Sequence, residues 1–363
     1  MALPLVDDFR SIVLENRPLI DVRAPVEFES GAFLGAVNLP LMSDEERQLI
    51  GIRYKEAGNA EAVELGKKLV GPFKEQRVAA WKTFIEAHPD TYLYCFRGGQ
   101  RSEISQMWLD EANITMPRLK GGYKAFRNFL IDESERITAE AETIIIGGRT
   151  GSGKTLLIHQ LKNAVDLEGL ANHRGSTFGR FISAQPTQIN FENALAYALI
   201  NHEERGHRQL VIEHESRNVG RAYIPKPIYD NYEQGGLVIL VTSIEERTDI
   251  TFEEYVTIAL ADYRSHFGKE GDRVWYEDAI AGIDRIKKRL GSERHLQIKN
   301  IFSTAFSKQL QTGDTENHKA WIKILLEEYY DPMYDYQIEK TTIPILFRGN
   351  AEEVLKFIRS REV

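Results

Sequence analysis

The run from Gly147 to Thr155, "GGRTGSGKT", constrains this chain more than any other stretch of its sequence. It holds the full G-x-x-x-x-G-K-[ST] spacing from Gly148 to Thr155, preceded by the apolar "TIII" and followed by "LLIHQLKNA". Strand, glycine-rich turn and amphipathic helix in that order build a cradle in which backbone amides converge on phosphate oxygens, and a parallel α/β sheet is the architecture that presents such a turn. Gly148, Gly151 and Gly153 let the backbone come close, Ser152 lies within the turn, and Lys154 adds a compact cation. The Thr155 hydroxyl suits a magnesium ion. Phosphate or diphosphate is the expected ligand. No cofactor is firmly assigned, Mg2+ being the candidate, and no side chains are assigned to a metal site.

Downstream, "RQLVIEHES" places Glu213 and Glu215 after an apolar strand. Glu213 is the chosen strand-end carboxylate, facing a metal or orienting water, and a fold-stabilising ion pair is the competing reading. "SRNVG", with Arg217 and Gly220, offers a further anion-facing loop. In "NHRGSTFG", His173 and Arg174 can approach phosphate while Gly175 and Gly179 permit a mobile closing segment, although for His173 alone surface-loop packing is the stronger reading. "NHEERGH" is not a zinc motif, because His202 and His207 stand five apart and the one-face H-E-x-x-H arrangement is absent.

With 363 residues the chain exceeds one average core and suggests two or three domains. Its opening, "MALPLVDDFRSIVLENRP", lacks a basic region and signal core, and no apolar run reaches the roughly 18 residues that span a bilayer. A cytoplasmic protein without a membrane partner is expected. The 46 Lys plus Arg against 54 Asp plus Glu oppose a nonspecific nucleic-acid coat but leave room for a local basic surface. "AIAGIDRIKKRLGSERH" supplies one: Ile280, Ile283, Ile286 and Leu290 can face a core, while Arg285, Lys288 and Arg289 face solvent and Arg294 extends the patch toward an RNA backbone. Tyr329, Tyr330, Tyr334 and Tyr336 offer either stacking surfaces or a core seam.

The first segment, to about Asp132, alternates buried strands ("RPLIDVR", "TYLYC") with helical patterns. "SEISQMWLDEA" turns Ile104, Trp108 and Leu109 to one side, and "LKGGYKAFRNFLI" reads as a closing turn and helix. The polar "DESERITAE" is expected to separate this unit from a second α/β domain with strands in "QLVIEHES" and "GLVILVTS", after which helices such as "EDAIAGIDRIKKRL" and "HKAWIKILLEEYY" dominate. Cys95 is the only cysteine, which excludes an intrachain disulfide and a Cys-rich metal site. It follows a strand directly in "TYLYCFRGGQRSEISQMW", where turn amides, Arg97 and Arg101 can gather an anion and favour a thiolate. The spacing of Cys95, Arg101 and Ser102 also matches cysteine-dependent phosphatases, yet Tyr94 stands where those enzymes usually carry histidine.

The segments "LIDVRAPVEFESGAFLGAVNLP", "CFRGGQRS" and "LKGGYKAF" resemble the three motifs of rhodanese domains over the first third of the chain. Asp21 and Arg23 match the early motif, as a buried ion pair or as direct participants. Together with the phosphate loop, "IEHESRNVG", "VTSIEERTD" and "LLEEYYDPMY", the order resembles the tRNA 2-selenouridine synthase family over nearly the whole chain. The resemblance implies an α/β fold with a rhodanese-like parallel-sheet domain at residues 1–135, a P-loop NTPase-like domain at 139–250, and a mainly helical region at 251–363 packed on the latter. It also implies conversion of wobble 2-thiouridine in tRNA to 2-selenouridine through an S-geranylated intermediate, from geranyl diphosphate and selenophosphate, with a selenophosphate-producing enzyme as partner. Geranyl diphosphate is then expected at Gly148–Thr155 and selenophosphate near Cys95, Arg97 and Arg101, with the exchanged assignment, or one site serving both stages, as the alternative. Cys95 either carries selenium covalently or positions selenophosphate. A cysteine-dependent phosphatase with a regulatory P-loop module and a nonenzymatic nucleotide-controlled binding protein remain the other readings.

Overall fold

The computed structural model describes residues 3–176, 178 and 180–362, so Gly179 of the expected closing segment lies outside the described residues. Contacts divide the chain into two units, Met1–Ile137 with Thr187–Arg205, and Thr138–Pro186 with Gly206–Val363. Both are α/β with parallel sheets.

In the first unit, strands β1 (Leu5–Val6), β2 (Leu19–Asp21), β3 (Ala36–Asn38), β4 (Tyr92–Tyr94) and β5 (Arg118–Leu119) lie in the order β1-β5-β4-β2-β3. Asp21 pairs in register with Tyr94 and with Asn38, which brings the early motif and the residue before Cys95 to one edge of the sheet. Ile20, Leu93, Trp81 and Leu109 are essentially sealed from water and form the core beneath that edge. Each such side chain contributes about 1.5–3 kcal/mol on burial. The helix Gln100–Glu111 turns Leu109, Ile104 and Trp108 to this core, as its spacing predicts. Between β3 and β4 the chain inserts the helices Asp44–Ala57, Asn59–Val70 and Lys74–Ala87. Ser43 starts the first of them by accepting from the Glu46 amide (3.2 Å) while its own amide donates to Glu46 Oε2 (2.8 Å).

Two expectations change here. "DESERITAE" is no linker but the second half of a helix running Gly122–Glu140. The reason is a buried stripe at helical spacing, the apolar Phe126, Leu130 and Ile137 with Ser134 among them, its hydroxyl donating to the Leu130 carbonyl (2.7 Å). Likewise the helix Gln188–Glu204, within the span expected for the phosphate-loop domain, belongs to the first unit. There the Ala32 amide donates to Asn190 Oδ1 (2.8 Å) and Asn193 Nδ2 donates to the Ala32 carbonyl (2.7 Å).

In the second unit, β6 (Glu142–Gly148), β7 (Ala164–Val165), β8 (Gln209–Glu213), β11 (Gly236–Leu240) and β12 (Ile345–Gly349) form a parallel sheet in the order β12-β11-β6-β8-β7, with a short hairpin of β9 (Asn218–Val219) and β10 (Ala222–Tyr223) apart. Ile144, Ile145 and Ile146 are wholly buried, as a central strand covered on both faces requires. The helix after the glycine turn is Lys154–Ile158, shorter than "LLIHQLKNA" suggests. Tertiary pairing overrides the helical pattern: Asn163 Nδ2 donates to Gln209 Oε1 (3.0 Å), its carbonyl accepts from the Val211 amide (3.0 Å), and β7 starts at once. Residues 251–363 are mainly helical, around a core of Trp275, Ile283, Phe302, Trp321 and Leu325, but they end by returning β12 to the edge of the same sheet beside β11.

Candidate functional site

The glycine turn leaves β6 and doubles back through Gly151 (φ +75°) and Gly153 (φ +85°), backbone conformations that favour glycine. A Cβ on Gly151 would meet Thr251 Oγ1 at 2.3 Å, so this position also needs glycine for space. The turn is braced from outside. Arg247 is buried, donates through Nε to the Thr150 carbonyl (3.0 Å), and makes a two-pronged pair with Asp331 (2.9 and 2.5 Å). Thr242 Oγ1 donates to the Ser152 carbonyl (2.9 Å), and Lys154 Nζ donates to the Gly148 carbonyl (3.2 Å).

Lys154 and Thr155 open into a cavity of about 520 Å³. Glu168, Glu215, His214 and Arg174 line it, and so do Phe181, Ile250, Tyr255, Ile258, Tyr329 and Met333. Thr155 Oγ1 donates to Glu168 Oε2 (3.4 Å). Burial, with the neighbouring Glu168 charge, pushes the Glu215 carboxyl well above the usual carboxylate range. Burial and the Lys154 charge lower His214 to about 4, so its imidazole is neutral near pH 7.

In the first unit, Cys95 Sγ lies 3.2 Å from Ser102 Oγ, which donates in turn to the Gly99 carbonyl (3.0 Å). The cysteine turn rests on the "LKGGYKAF" segment: the Cys95 carbonyl accepts from the Tyr123 amide (2.8 Å), and a Cβ on Gly122 would strike the Cys95 carbonyl oxygen at 2.2 Å. Arg101 pairs with both oxygens of Glu27 (2.5 and 3.1 Å), whereas Arg97 is exposed over the Phe96 ring. Asp21 and Arg23 form a buried two-pronged pair, with Arg23 Nη2 donating to the Gly31 carbonyl (2.8 Å) and the guanidinium 4.0 Å from the Tyr123 ring centre. That geometry supports the loop-fixing reading over direct participation. Cys95, Arg97 and Arg101 line one cavity of about 620 Å³.

A domain family described as the AAA domain of tRNA 2-selenouridine synthase matches residues 141–363. A tRNA 2-selenouridine synthase of Sulfurovum sp. (strain NBC37-1) is 56% identical over 358 residues, which cover 98% of this chain and 98% of that one. The chain belongs to the tRNA 2-selenouridine synthase family. Synthases of Hydrogenovibrio crunogenus (strain DSM 25203 / XCL-2) and Pseudomonas fluorescens (strain Pf0-1) are 50% and 47% identical, over 98% of this chain and 99% and 98% of theirs.

In this member of the family, the phosphate-loop residues Gly148, Gly151, Ser152, Gly153, Lys154 and Thr155 all line one cavity. Glu213 does not join them. It ends β8 inside the core, wholly buried, with Oε2 accepting from the Leu167 amide (3.0 Å), and the carboxylates that line the cavity are Asp166, Glu168, Glu215 and Glu254 instead. Arg217 is spent on the hairpin, donating to the Ile224 carbonyl (3.2 Å) and lying over Tyr223. His173 and Arg174 do reach the cavity. Of the basic patch, Arg285 and Lys288 are exposed, Arg294 pairs with Glu328 (2.5 Å), and Arg289 lines the phosphate-loop cavity. Tyr329 and Tyr330 are buried in the helical core while Tyr336 is exposed. Among the described residues no group of three or more His, Cys, Asp or Glu is arranged to hold a metal ion.

Sequence reasoning missed Glu27, Glu168 and the Arg247–Asp331 pair. The last two sit inside the quoted runs "VTSIEERTD" and "LLEEYYDPMY", and their 84-residue separation hides the partnership.

Proposed function

We propose that this enzyme converts wobble 2-thiouridine of tRNA to 2-selenouridine in two stages, S-geranylation at the phosphate-loop cavity and selenium exchange at Cys95 in a rhodanese-like first unit. The observation that carries the reading is the composition of the phosphate-loop cavity: the glycine turn with Lys154 and the apolar Phe181, Ile250, Tyr255, Ile258, Tyr329 and Met333 line the same space. A diphosphate with a hydrocarbon tail needs both surfaces, whereas phosphate hydrolysis needs neither the aromatic wall nor its extent. Lys154 binds the charged end, and the neutral His214 adds no competing cation.

The oxygen donors Thr155, Glu168 and Glu215 would hold a magnesium ion, whose charge would favour the ionised Glu215 carboxyl that burial and the Glu168 charge disfavour. When bound, Mg2+ neutralises charge on the departing diphosphate. Alkylation makes the C2 sulfur a better leaving group, and the Cys95 turn with Arg97 and Arg101 handles selenophosphate. A selenophosphate-producing enzyme is the corresponding partner. Among the described residues no helix is long and apolar enough to cross a membrane, and the cytoplasm is the compartment that the tRNA substrate implies.

The test incubates the purified protein with 2-thiouridine-containing tRNA, geranyl diphosphate and selenophosphate, and identifies nucleosides by mass spectrometry. S-geranyl-2-thiouridine without selenophosphate and 2-selenouridine with it are expected. Phosphate release with no modified nucleoside would favour the phosphatase reading.

A further inference from the structure

The first unit has its own apolar cavity, and the selenium-exchange chemistry does not by itself call for one. A selenophosphate anion and a polar base need charge and hydrogen bonds, yet the cavity of about 620 Å³ beside Cys95 is walled by Leu41, Met42, Ile50, Val63, Val70 and Ile104. Its size falls within the roughly 300–1,000 Å³ of small-molecule sites. The outer wall comes from the helices Asp44–Ala57 and Asn59–Val70, inserted between β3 and β4, which the sheet does not require for closure. Its charged lining is mostly cationic: Arg47 and Arg101 pair with Glu27, whereas the exposed Lys55, Lys67 and Arg97 enter no ion pair among the described residues, so this is the rim that the pocket presents.

We propose that this cavity binds the hydrocarbon chain of the S-alkylated nucleoside during selenium exchange, so that the alkylthiol departs from C2 with its chain already held away from water. The proposal rests on the two-stage reading above and adds a site to it. Charge complementarity fixes the occupant, because an apolar pocket rimmed by unpaired cations suits a hydrocarbon carried on a phosphodiester backbone. In the exchange, the selenium of selenophosphate adds to C2 and a C–Se bond forms. The C2–S bond then breaks with its electron pair on sulfur, and the alkylthiolate takes a proton from water. Water cleaves the Se–P bond and releases inorganic phosphate, leaving selenium on C2 with no net oxidation or reduction.

Gly66 offers a clean test. It lies inside the helix Asn59–Val70 on the cavity wall, and an added Cβ would sit at ordinary contact, 3.5 Å from Ile50 Cδ1. Gly66→Leu therefore fills the cavity and favours the helix. Anticodon stem-loops carrying S-geranyl-2-thiouridine or S-methyl-2-thiouridine are given selenophosphate, and kcat/KM for 2-selenouridine formation is measured with the parent protein, Gly66→Leu and Val63→Trp. The parent is expected to prefer the geranyl substrate, and the folded variants to lose at least tenfold on it with less than twofold change on the methyl substrate. An equal loss on both substrates would assign the pocket to base or phosphate and overturn the proposal, as would an unchanged geranyl preference in both variants. Failure of the parent protein to form 2-selenouridine from either stem-loop would instead count against the two-stage reading itself.

Discussion

At the scale of single residues, the two candidate sites are chemically separable. Cys95 and Lys154 belong to different units, each in its own cavity. Cys95→Ser keeps the Ser102 contact available and should leave unfolding unchanged, lower 2-selenouridine formation at least 100-fold, and spare S-geranylation, as nucleoside mass spectrometry of both stages would read. A folded Cys95→Ser protein with near-parent selenium incorporation would remove the thiol from the mechanism. Lys154→Ala retains the backbone cradle and deletes its compact cation. It should weaken geranyl diphosphate at least tenfold by calorimetry while pre-formed S-geranyl tRNA is still selenated. His318 supplies a stability probe far from either reaction. Its Nδ1 accepts from Trp321 Nε1 (2.9 Å) and Nε2 faces Gln309 Oε1 (2.9 Å), which fixes a neutral ring, and burial lowers its pKa from 6.5 to about 4. Its contribution is therefore present above pH 6.5 and is lost as pH falls toward 4. Between pH 7 and pH 5 it should cost roughly 2 kcal/mol of unfolding free energy, and His318→Asn should flatten that portion of the curve in urea titrations.

At the scale of elements, the phosphate turn owes its shape to a partner far along the chain. The Arg247–Asp331 pair joins the helix Ile244–Phe252 to the helix Asp331–Lys340 and holds the Thr150 carbonyl between them. Asp331→Asn leaves the guanidinium buried without its countercharge, a change that typically costs about 3–5 kcal/mol. Chemical denaturation should show that loss, and diphosphate affinity should fall as well even though Asp331 does not line the cavity. Unchanged affinity in the folded variant would mean that the turn holds its shape unaided. The same elements show what the sequence could disclose. Strand, turn and following cation were legible at Gly148–Thr155 because glycine, lysine and threonine have narrow reasons to stand there. The helix Gln100–Glu111 was legible because its apolar residues recur at 3.6-residue spacing. Arg247 with Asp331 and Arg101 with Glu27 were not, since an ion pair between distant positions leaves no local pattern. The core-bound Glu213 and the cavity-lining Glu215 were interchanged because nothing local says which of two carboxylates follows the strand out of the core.

At the scale of the whole molecule, the expected RNA surface is smaller than its four residues suggest. All four are exposed, but Arg294 is paired with Glu328, Arg289 lines the phosphate-loop cavity and Arg285 lines a neighbouring one with Arg180 and Asp278, so that Arg285 and Lys288 are the two that neither pair with Glu328 nor reach the phosphate turn. Arg285→Gln with Lys288→Gln should reduce the slope of log affinity against log salt for tRNA by between one and two units, with diphosphate binding preserved. An unchanged slope across several salt concentrations would place the RNA elsewhere. The connectivity carries a consequence for the order in which the molecule can be made. The first unit is completed by Gln188–Glu204, whose Phe191, Leu195, Leu199 and Ile200 are buried. During synthesis, at about 5–20 residues per second, the helix Phe9–Leu14 and the Phe126 ring must wait for this cover until the chain has emerged past residue 205. By then the phosphate turn is already outside the ribosome, while β12, at the edge of its sheet, is still more than a hundred residues from being joined. The unit that begins the chain is thus the first that can close, but only after part of the second has been made, and a ribosome stalled between the two would hold the Phe9–Leu14 helix uncovered and open to chaperones.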